Sequence, residues 1–497
     1  MKRIYIFILG IVFSSLSLAS QTEMRYHLSF DPEGQYIHVA LSLSNLSTKT
    51  TTLRMPVWAP GYYLILDYPK NVVDFEAFDA DSNPLIWEKS GKNGWVVNHG
   101  GRDMTISYRV YANAQSVAEC MVTSEKAFIP GNGVYMHIEK EKNMPVTVHF
   151  TLPDTWKHIA TGLKRIDEFD TFYATDFDLL YDSPVYLGNP TVLHFTHEGH
   201  EYELALEIAE ELKEQDFVGD LKKMISSCRA LIGDVPYDNY CFILMGNGVG
   251  GLEHFNSQAC FIDDSLDTQE EYLRFLSFIT HEYFHLYNVK TIRPIELGPF
   301  DYDREVFTPL LWVSEGFTVY YELPILLRSG VIDKNYFLKT MSDFIRRIES
   351  NTGKNHMSLR QSSYDIWLNF FNRNANGADT RISYYDKGPI IGFLMDIEIR
   401  YMTENRRSLD DVMRTLYWKY YKEKNRGFTE EEFWQVCADV AGQPLTEMRR
   451  YVDTTSAIDY TKYAAYSGLQ IDADWNLSIV DGCSGLPLLI RESILGK

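Results

Sequence analysis

The apolar residues of this chain change their spacing near residue 200, and this change constrains the fold more than any other feature. Between about Gln21 and Gly199, segments such as "YIHVALSLS" and "VTVHFTL" alternate apolar and polar residues and are separated by Gly, Asn, Asp and Pro. A period of two predicts half-buried strands. From Thr268 to about Val452 the apolar residues recur at helical spacing. The sequence therefore predicts a β-sandwich-like domain followed by a mainly helical region.

The segment between these two regions has mixed patterns. A helical pattern runs through "ELALEIAEELKEQDFVGDLKKMISSCRALIG" and is interrupted near residues 218–220. The segments "YCFILMG" and "QACFID" resemble buried strands, with a glycine-rich turn between them.

The N-terminus has the pattern of an export signal. A basic start, Met1–Arg3, precedes the apolar segment Ile4–Val12, and Ser17 and Ala19 are the small residues expected before a cleavage site. We therefore expect residues 1–19 to be removed and the protein to be periplasmic or secreted. The apolar segment is short for a membrane anchor, and no later segment is long and apolar enough to span a bilayer.

The composition excludes two classes of partner. The 497 residues carry a formal net charge of −21, and such an acidic surface repels nucleic acid and anionic lipid. Hydrophobic residues make up 45% of the chain, which is enough for the packed cores of several domains. The six cysteines are scattered without a C-x-x-C pair, so a metal site would have to use histidines and carboxylates.

Two histidines four residues apart lie in "FITHEYFHLYN", which contains the pattern H-E-x-x-H. The longer segment "DTQEEYLRFLSFITHEYFHLYNVK" is predicted to be one helix that begins with a capping box between Thr268 and Glu271. At 3.6 residues per turn His281 and His285 share one face, so both imidazoles can reach one Zn²⁺. The side chain of Glu282 is rotated about 100° around the helix axis from that of His281, so it can contact a metal-bound water molecule rather than the metal. The alternative is a pair of surface or core histidines with no metal.

A catalytic zinc site needs a third protein ligand and one open position. Glu315, in "LLWVSEGFTVYYE", is the candidate ligand and should lie on a second helix. Glu322 follows two helical turns later on roughly the same face. It can accept a hydrogen bond from a ligand histidine, or it can be a solvated carboxylate.

These residues and the segments around them resemble the glycyl aminopeptidase family, in the gluzincin class of zinc peptidases. "HEYFHLYNVKTIRP" is similar to the zinc-helix motif of that family, and "MPVWAPGYYLILDY" to the signature of its N-terminal domain. "GGLEH" followed by Ser257, "YYDKG", and "LDDVM" with "GFTEEEFW" also fit, in the order of the family. Tyr287 stands where the family usually has tryptophan, which is a packing change.

The resemblance implies a role for each residue of the two predicted helices that was singled out above as a metal ligand or base. His281, His285 and Glu315 would hold Zn²⁺. Glu282 would take a proton from the attacking water and pass it to the leaving amine.

The resemblance also implies how a substrate is held. Gly250 and Gly251 would let a peptide backbone lie close to the chain. Glu253 would pair with the free α-ammonium of the substrate, which fixes cleavage one residue from the N-terminus; the alternative is an exposed turn glutamate. Tyr385 would donate a hydrogen bond to the developing oxyanion. Tyr384 is the alternative donor, and both tyrosines could instead be a packed aromatic pair.

Other polar residues near the motifs have simpler interpretations. We expect His254 to make a structural hydrogen bond rather than to bind metal. Lys290 and Arg293 could bind a substrate carbonyl or carboxylate, or they could form surface ion pairs. The segment "HEGH" at residues 197–200 suggests a second metal site, but its glycine and its strand-like surroundings predict a turn.

We therefore predict an α+β multidomain protein. After the signal peptide at 1–19, the resemblance implies an N-terminal β-sandwich-like domain at 20–199, a thermolysin-like zinc catalytic domain at 200–330 and a helical domain at 331–455. The tail at 456–497 resembles the lead-in to the C-terminal PDZ domain of the family, and we expect no complete PDZ domain.

The predicted function is hydrolysis of the first peptide bond of peptides with a free N-terminus. The resemblance implies that glycine or alanine is released. An endopeptidase on the same scaffold is the nearest alternative, and a non-catalytic peptide- or glycan-binding protein is the second. The set of His281, Glu282, His285, Glu315 and Tyr385 argues against a binder, because a binder needs no glutamate that activates water.

Overall fold

The computed structural model describes residues 22–213, 215–262, 266–369, 371, 377 and 379–496. The predicted signal peptide lies outside these residues. Within them, no helix has the length and apolar character that a membrane crossing requires. The described chain is α+β and multidomain, as predicted, with β-sheets first and helices in the second half.

Strands dominate the N-terminal region. They are β1 (Glu23–Asp31), β2 (Tyr36–Ser44), β3 (Thr50–Arg54), β4 (Val72–Asp79), β5 (Ile86–Ser90), β6 (Gly94–Asn98), β7 (Met104–Tyr111), β8 (Met121–Val122), β9 (Ala127–Ile129), β10 (His137–Ile138), β11 (Val146–Thr151), β12 (His158–Thr161), β13 (Lys164–Arg165), β14 (Thr171–Ala174) and β15 (Val185–Gly188). The short helix α1 (Phe177–Tyr181) lies between β14 and β15, and 3₁₀ turns occupy Tyr68–Asn71 and Gly131–Gly133.

These strands form three sheets around one core. A seven-stranded sheet has the order β13-β14-β11-β1-β2-β7-β4, and two four-stranded sheets have the orders β10-β3-β6-β5 and β12-β15-β9-β8. The alternation in the sequence appears as alternating burial, since Met24, Tyr26 and Leu28 of β1 point into the core while their neighbours are exposed. The sheets therefore pack as the predicted sandwich-like region.

After the three N-terminal sheets, one further sheet follows in the chain; it is named the second sheet because it begins the second region. Its strands are β16 (Thr191–His197), β17 (His200–Leu206), β18 (Asn239–Gly246), β19 (Gly250–Glu253) and β20 (Ser257–Ile262), in the order β16-β17-β18-β20-β19. Because β16 belongs to this sheet, the change of sheet comes between Gly188 and Thr191 rather than at residue 199. The turn predicted in "HEGH" is present, since Glu198 and Gly199 join β16 to β17 with φ of 49° and 88°.

The helical interpretation of "ELALEIAEELKEQ" is wrong, since its first residues form a strand and residues 207–213 form no helix. Residues 200–206 form β17, which pairs with β16 on one side and with β18 on the other. The glutamates favour a helix locally, but pairing on both sides of a buried strand outweighs that preference. The interruption predicted at residues 218–220 is absent, because these residues lie in the first turn of helix α2 (Phe217–Ile232). The helix begins after Asp216, whose Oδ1 accepts a hydrogen bond from Gly219 N at 3.2 Å.

Helices make up most of the remaining chain. They are α3 (Gln269–Phe284), α4 (Phe317–Arg328), α5 (Lys334–Ser350), α6 (Leu359–Tyr364), α7 (Ile366–Asn369), α8 (Tyr384–Met402), α9 (Leu409–Leu416), α10 (Glu430–Ala441), α11 (Thr446–Asp453), α12 (Tyr460–Tyr466) and α13 (Gly485–Leu495). π-Helical turns occupy Trp312–Gly316 and Tyr417–Glu423, and 3₁₀ turns occupy Ile295–Leu297 and Thr352–Asn355. The strands β21 (Leu469–Ile471) and β22 (Leu477–Ile479) form a hairpin.

Two apolar clusters hold the regions of the chain together and so position the cleft. One apolar core runs continuously from Tyr202 to Leu495, so α12, β21, β22 and α13 of the predicted tail pack on the helices before them. A smaller apolar cluster joins the N-terminal region to the second sheet, and it includes Val117 and Tyr186 on one side and Leu252 and Phe261 on the other. The N-terminal region is thereby packed beside β19.

Candidate active site

Helix α3 carries the H-E-x-x-H pattern, and its N-terminus has the predicted capping box between Thr268 and Glu271. His281 and Glu282 lie in its last turn, and His285 is its C-cap residue. The Nε2 atoms of His281 and His285 are 2.9 Å apart, and both rings are buried. The one-turn spacing therefore brings the two imidazoles to one point, as the pattern predicts.

Glu315 reaches the same point from a different element. It lies in the π-helical turn Trp312–Gly316, immediately before α4. Glu315 Oε2 is 3.2 Å from His285 Nε2 and 3.6 Å from His281 Nε2. The three ligand atoms lie within 4.8 Å of one another, which is the spacing of a set that can hold one metal ion.

Hydrogen bonds fix the orientation of both imidazoles. Nδ1 of His281 donates to Glu322 Oε1 at 2.8 Å, and Ser277 Oγ donates to the other carboxylate oxygen of Glu322 at 2.6 Å. Nδ1 of His285 donates to the carbonyl oxygen of Asn288 at 2.7 Å. Glu322 is thus a partner of His281 rather than a solvated carboxylate. Both rings turn their Nε2 atoms toward Glu315.

Asn288 is a structural residue of the site that we did not single out from the sequence. Its side-chain Nδ2 donates to the carbonyl oxygens of Val313 and Ser314 at 2.7 and 3.0 Å, and to Thr318 Oγ1 at 3.0 Å. It therefore ties the segment that follows α3 to the turn that carries Glu315. Its place in "HLYNVK" was the only signal in the sequence.

Glu282 lies beside the two histidines and is buried, with 5% of its surface exposed. Burial raises the pKa of its carboxyl to about 7, against the lowering effect of His281 and His285. A Cβ atom at Gly251 would lie 2.3 Å from Glu282 Oε1. The glycine at 251 therefore makes room for the Glu282 carboxylate.

Glu315 carries a charge that the two histidines stabilise. Burial alone would raise the pKa of its carboxyl, but His285 and His281 hold that pKa well below its usual value. Glu253, Glu282 and Glu315 are three buried carboxylates that lie around the two imidazoles. Such a set is strongly attractive to a divalent cation.

Gly250, Gly251 and Glu253 lie on β19, the edge strand of the second sheet. The Glu253 carboxylate faces the same cluster, since its ligand atom lies within 4.8 Å of ligand atoms of Glu282 and His285. It is 5% exposed, so it is not an exposed turn residue. On its other side lies Gly61, where φ is 86° and a Cβ would be 2.8 Å from either carboxylate oxygen.

Tyr385 lies in the first turn of α8 and borders the histidines. Its ring centroid is 6.4 Å from that of His281 and 4.6 Å from that of Tyr384. Burial and the neighbouring Glu315 carboxylate raise the pKa of its phenol well above the usual value, so it stays neutral and can donate a hydrogen bond. Tyr384 is 1% exposed and packs into the core behind it.

A cleft of about 930 Å³ contains these groups. One wall comes from the N-terminal region, through Gly61, Tyr62 and residues 115–117. Gly61 and Tyr62 belong to "MPVWAPGYYLILDY", the segment similar to the family's N-terminal signature, whose place at the site could not be predicted from the sequence pattern. The remaining walls come from β19, α3, α4, α5 and α8.

The other polar residues singled out from the sequence lie outside the cleft lining. His254 makes a structural hydrogen bond, as expected, with its Nδ1 3.1 Å from Asp182 Oδ1. The side chain of Lys290 is 8% exposed, and its ammonium group donates to Asp182 Oδ1 at 2.8 Å. The guanidinium of Arg293 lies 5.9 Å from the ring centroid of Phe300.

Two protein-family models match this chain. The M61 peptidase N-terminal domain matches residues 25–189, and the M61 glycyl aminopeptidase model matches residues 274–391. Together they cover more than half of the chain. A comparison with curated protein sequences finds no match.

Solved structures share the fold. An aminopeptidase N family protein from Idiomarina loihiensis has 26% identity and a TM-score of 0.84 over 90% of this chain and 79% of its own. An M1 zinc metallopeptidase from Deinococcus radiodurans has 11% identity and a TM-score of 0.54 over 88% of this chain and 95% of its own. Yeast LTA4 hydrolase in its native form has 13% identity and a TM-score of 0.52 over 95% of this chain and 70% of its own. With the family models and the cleft geometry, these findings show that the chain belongs to the M61 glycyl aminopeptidase family of metallopeptidases.

Proposed function

We propose that this protein is an exported zinc aminopeptidase that removes glycine or alanine from the N-terminus of peptides. The position of Glu253 carries the proposal. Its carboxylate lies within 4.8 Å of Glu282 and His285 at one end of the cleft and is only 5% exposed. A buried carboxylate at this distance from the reacting groups suits a substrate whose amino terminus is one residue from the cleaved bond.

The residues present fit a zinc ion. Because Nδ1 of each ring donates to a fixed acceptor, the two Nε2 atoms are the positions left for a metal. They lie 2.9 Å apart, and the Glu315 carboxylate lies beside them. Two imidazoles and one carboxylate are also the donor set of many catalytic zinc sites. When bound, zinc lowers the pKa of a water ligand to about 7 and polarises a carbonyl group.

The side chains of this protein would then share the work of hydrolysis. The buried Glu282 carboxylate accepts the proton of the attacking water and delivers it to the leaving nitrogen, for which its pKa of about 7 is suitable. The neutral phenol of Tyr385 donates a hydrogen bond to the oxygen of the attacked carbonyl as negative charge develops there. Glu322 and the Asn288 carbonyl hold the two histidines in their tautomers.

Two observations support a small first residue. The matching family model is that of a glycyl aminopeptidase. In the structure, the loop at Gly61 presses against Glu253, and not even a Cβ fits between them. The wall of the N-terminal region therefore leaves little room beside the amino-terminal end of the cleft. Export is supported by the basic and apolar pattern of residues 1–19.

The test compares the tripeptide Ala-Phe-Ala with its N-acetylated form on the zinc-loaded full chain. We expect release of alanine from the free peptide and little cleavage of the acetylated one. We also expect Glu253→Gln to raise KM for the free peptide much more than it lowers kcat. Undiminished cleavage of the acetylated peptide would instead show an endopeptidase. Peptides that begin with glycine, alanine and leucine then measure the preference for a small residue.

A further inference from the structure

Lys290, just outside the cleft lining, lies between the buried carboxylate of Glu253 and the carboxylate of Asp182, whose side chain is 22% exposed. Lys290 Nζ is 2.8 Å from Asp182 Oδ1 and 3.9 Å from Glu253 Oε1. The side chains of Lys290 and Glu253 are 8% and 6% exposed. Asp182 comes from the N-terminal region, where it ends helix α1, whereas the other two residues belong to the second sheet and to the segment after α3.

Asp182 is held in place by more than the lysine. Its Oδ1 also faces His254 Nδ1 at 3.1 Å, and its Oδ2 accepts a hydrogen bond from the backbone N–H of Phe255 at 2.9 Å. Burial would raise the pKa of Asp182, but Lys290 and His254 hold it below its usual value. Asp182 therefore has a fixed position, and its carboxylate links the N-terminal region to residues of the second region.

The two contacts of Lys290 are unequal. Its ammonium group lies closer to Asp182 than to Glu253 and therefore interacts more strongly with Asp182. The guanidinium of Arg293 also interacts electrostatically with Asp182. The nearby Glu282 adds a further acidic group. A buried carboxylate that is only partly neutralised is costly, and a cation that completes its charge is bound strongly.

We propose that Asp182 is a positioning residue that holds Lys290 away from Glu253, so that Glu253 remains available to the ammonium group of a peptide substrate. This inference rests on the proposed function, since it assumes that Glu253 receives that group. Asp182 prevents the lysine from occupying the place of the substrate's ammonium group. The N-terminal region thereby takes part in the selection of free amino termini.

The test begins with Asp182→Asn in the zinc-loaded full chain. The lysine loses its 2.8 Å charged partner and is expected to move onto Glu253. KM for Ala-Phe-Ala should rise about tenfold or more, the factor of one lost charge contact, while kcat changes much less. The matched control is Asp178→Asn on the same short helix, where the carboxylate accepts a hydrogen bond from Tyr302 instead. The control should leave KM unchanged.

A second substitution separates positioning from simple structural support. Adding Lys290→Met to Asp182→Asn removes the competing ammonium, so KM should return toward the wild-type value. If Asp182 only stabilised the fold, the double variant would be worse than the single one, and that result overturns the inference. If Asp182→Asn does not fold, Lys290→Met alone is measured. Its KM should not rise, and a large rise overturns the inference.

The failure of this inference can be distinguished from failure of the proposed function by Glu253→Gln. If Glu253→Gln leaves KM for the free peptide unchanged, Glu253 does not receive the amino terminus and both ideas fall. If Glu253→Gln raises KM but Asp182→Asn does not, only the role of Asp182 is wrong. If both raise KM and Lys290→Met restores it in the Asp182→Asn background, both ideas stand.

Discussion

Gly316 and Gly388 touch each other where the turn that carries Glu315 crosses helix α8. A Cβ atom on either glycine would lie 2.6 Å from the Cα atom of the other. Gly316 follows Glu315 directly, and Gly388 lies three residues after Tyr385. The close crossing therefore sets how near these two side chains lie to one another.

We expect Gly388→Ala to lower both stability and activity. The added methyl group has no space, and overpacking costs about 1–3 kcal/mol. This cost exceeds the stability that alanine gains over glycine inside a helix. Urea unfolding and kcat/KM measure the two effects. Gly246→Ala is the control, because its Cβ would be an ordinary 3.7 Å from Ile208. Unchanged stability and activity in Gly388→Ala would contradict the tight crossing.

We expect Tyr385→Phe to lower kcat by about 10²–10³-fold with little change in KM, because one oxyanion donor is lost. Tyr384→Phe is the matched control, since the neighbouring ring is 1% exposed and packs in the core. Steady-state kinetics with Ala-Phe-Ala separate the two. A large loss of kcat in Tyr384→Phe alone would make that tyrosine the donor.

We expect Asn288→Ala to weaken zinc binding by about 10–100-fold, the usual effect of removing a residue that supports metal ligands. The substitution removes three hydrogen bonds to the segment around Glu315 but no proposed ligand. Competition with a chelator of known affinity measures the change. Asn189→Ala, which removes one exposed amide contact, should bind zinc normally. Equal affinities in the two variants would contradict this role.

We expect removal of metal by a chelator to abolish hydrolysis and to lower the melting temperature, with both restored by added zinc. A ligand at about 100–1,000 times its Kd stabilises the folded state by about 3–4 kcal/mol. Glu315→Gln should make the melting temperature much less responsive to zinc. A chelator that leaves melting and activity unchanged would contradict a zinc site at His281, His285 and Glu315.

We expect Glu398→Gln to stabilise the protein at pH 8 and to have little effect at pH 5. Burial raises the pKa of this carboxyl from its ordinary 4.5 to about 7, and its Oε2 has no hydrogen-bond partner among the described residues. The folded state therefore keeps a proton that the unfolded state loses, so stability falls as pH rises between these values. Melting temperatures across this pH range measure the effect. A constant difference between variant and wild type would contradict it.

Most of the fold could be predicted where the sequence pattern is long and regular. The alternation in β1 and the capping box at Thr268 both correspond to observed elements. The prediction failed at β17, because glutamate-rich "ELAL" has the composition of a helix and only its pairing with β16 and β18 makes it a strand. The boundary at residue 199 shifted for the same reason, since sheet membership depends on distant partners.

The residues that act within one helix follow from local geometry. The spacing of His281, Glu282 and His285 determines that the two imidazoles share a face, because 3.6 residues make a turn wherever the helix lies. By contrast, nothing in the spacing determines that Glu315 meets them. That meeting depends on the contact between Gly316 and Gly388 and on the hydrogen bonds of Asn288. Asp182, 71 positions before Glu253, reaches its partners only because the N-terminal region packs beside β19. Short-range spacing is a property of the chain, whereas contacts between distant segments exist only after the cores have packed.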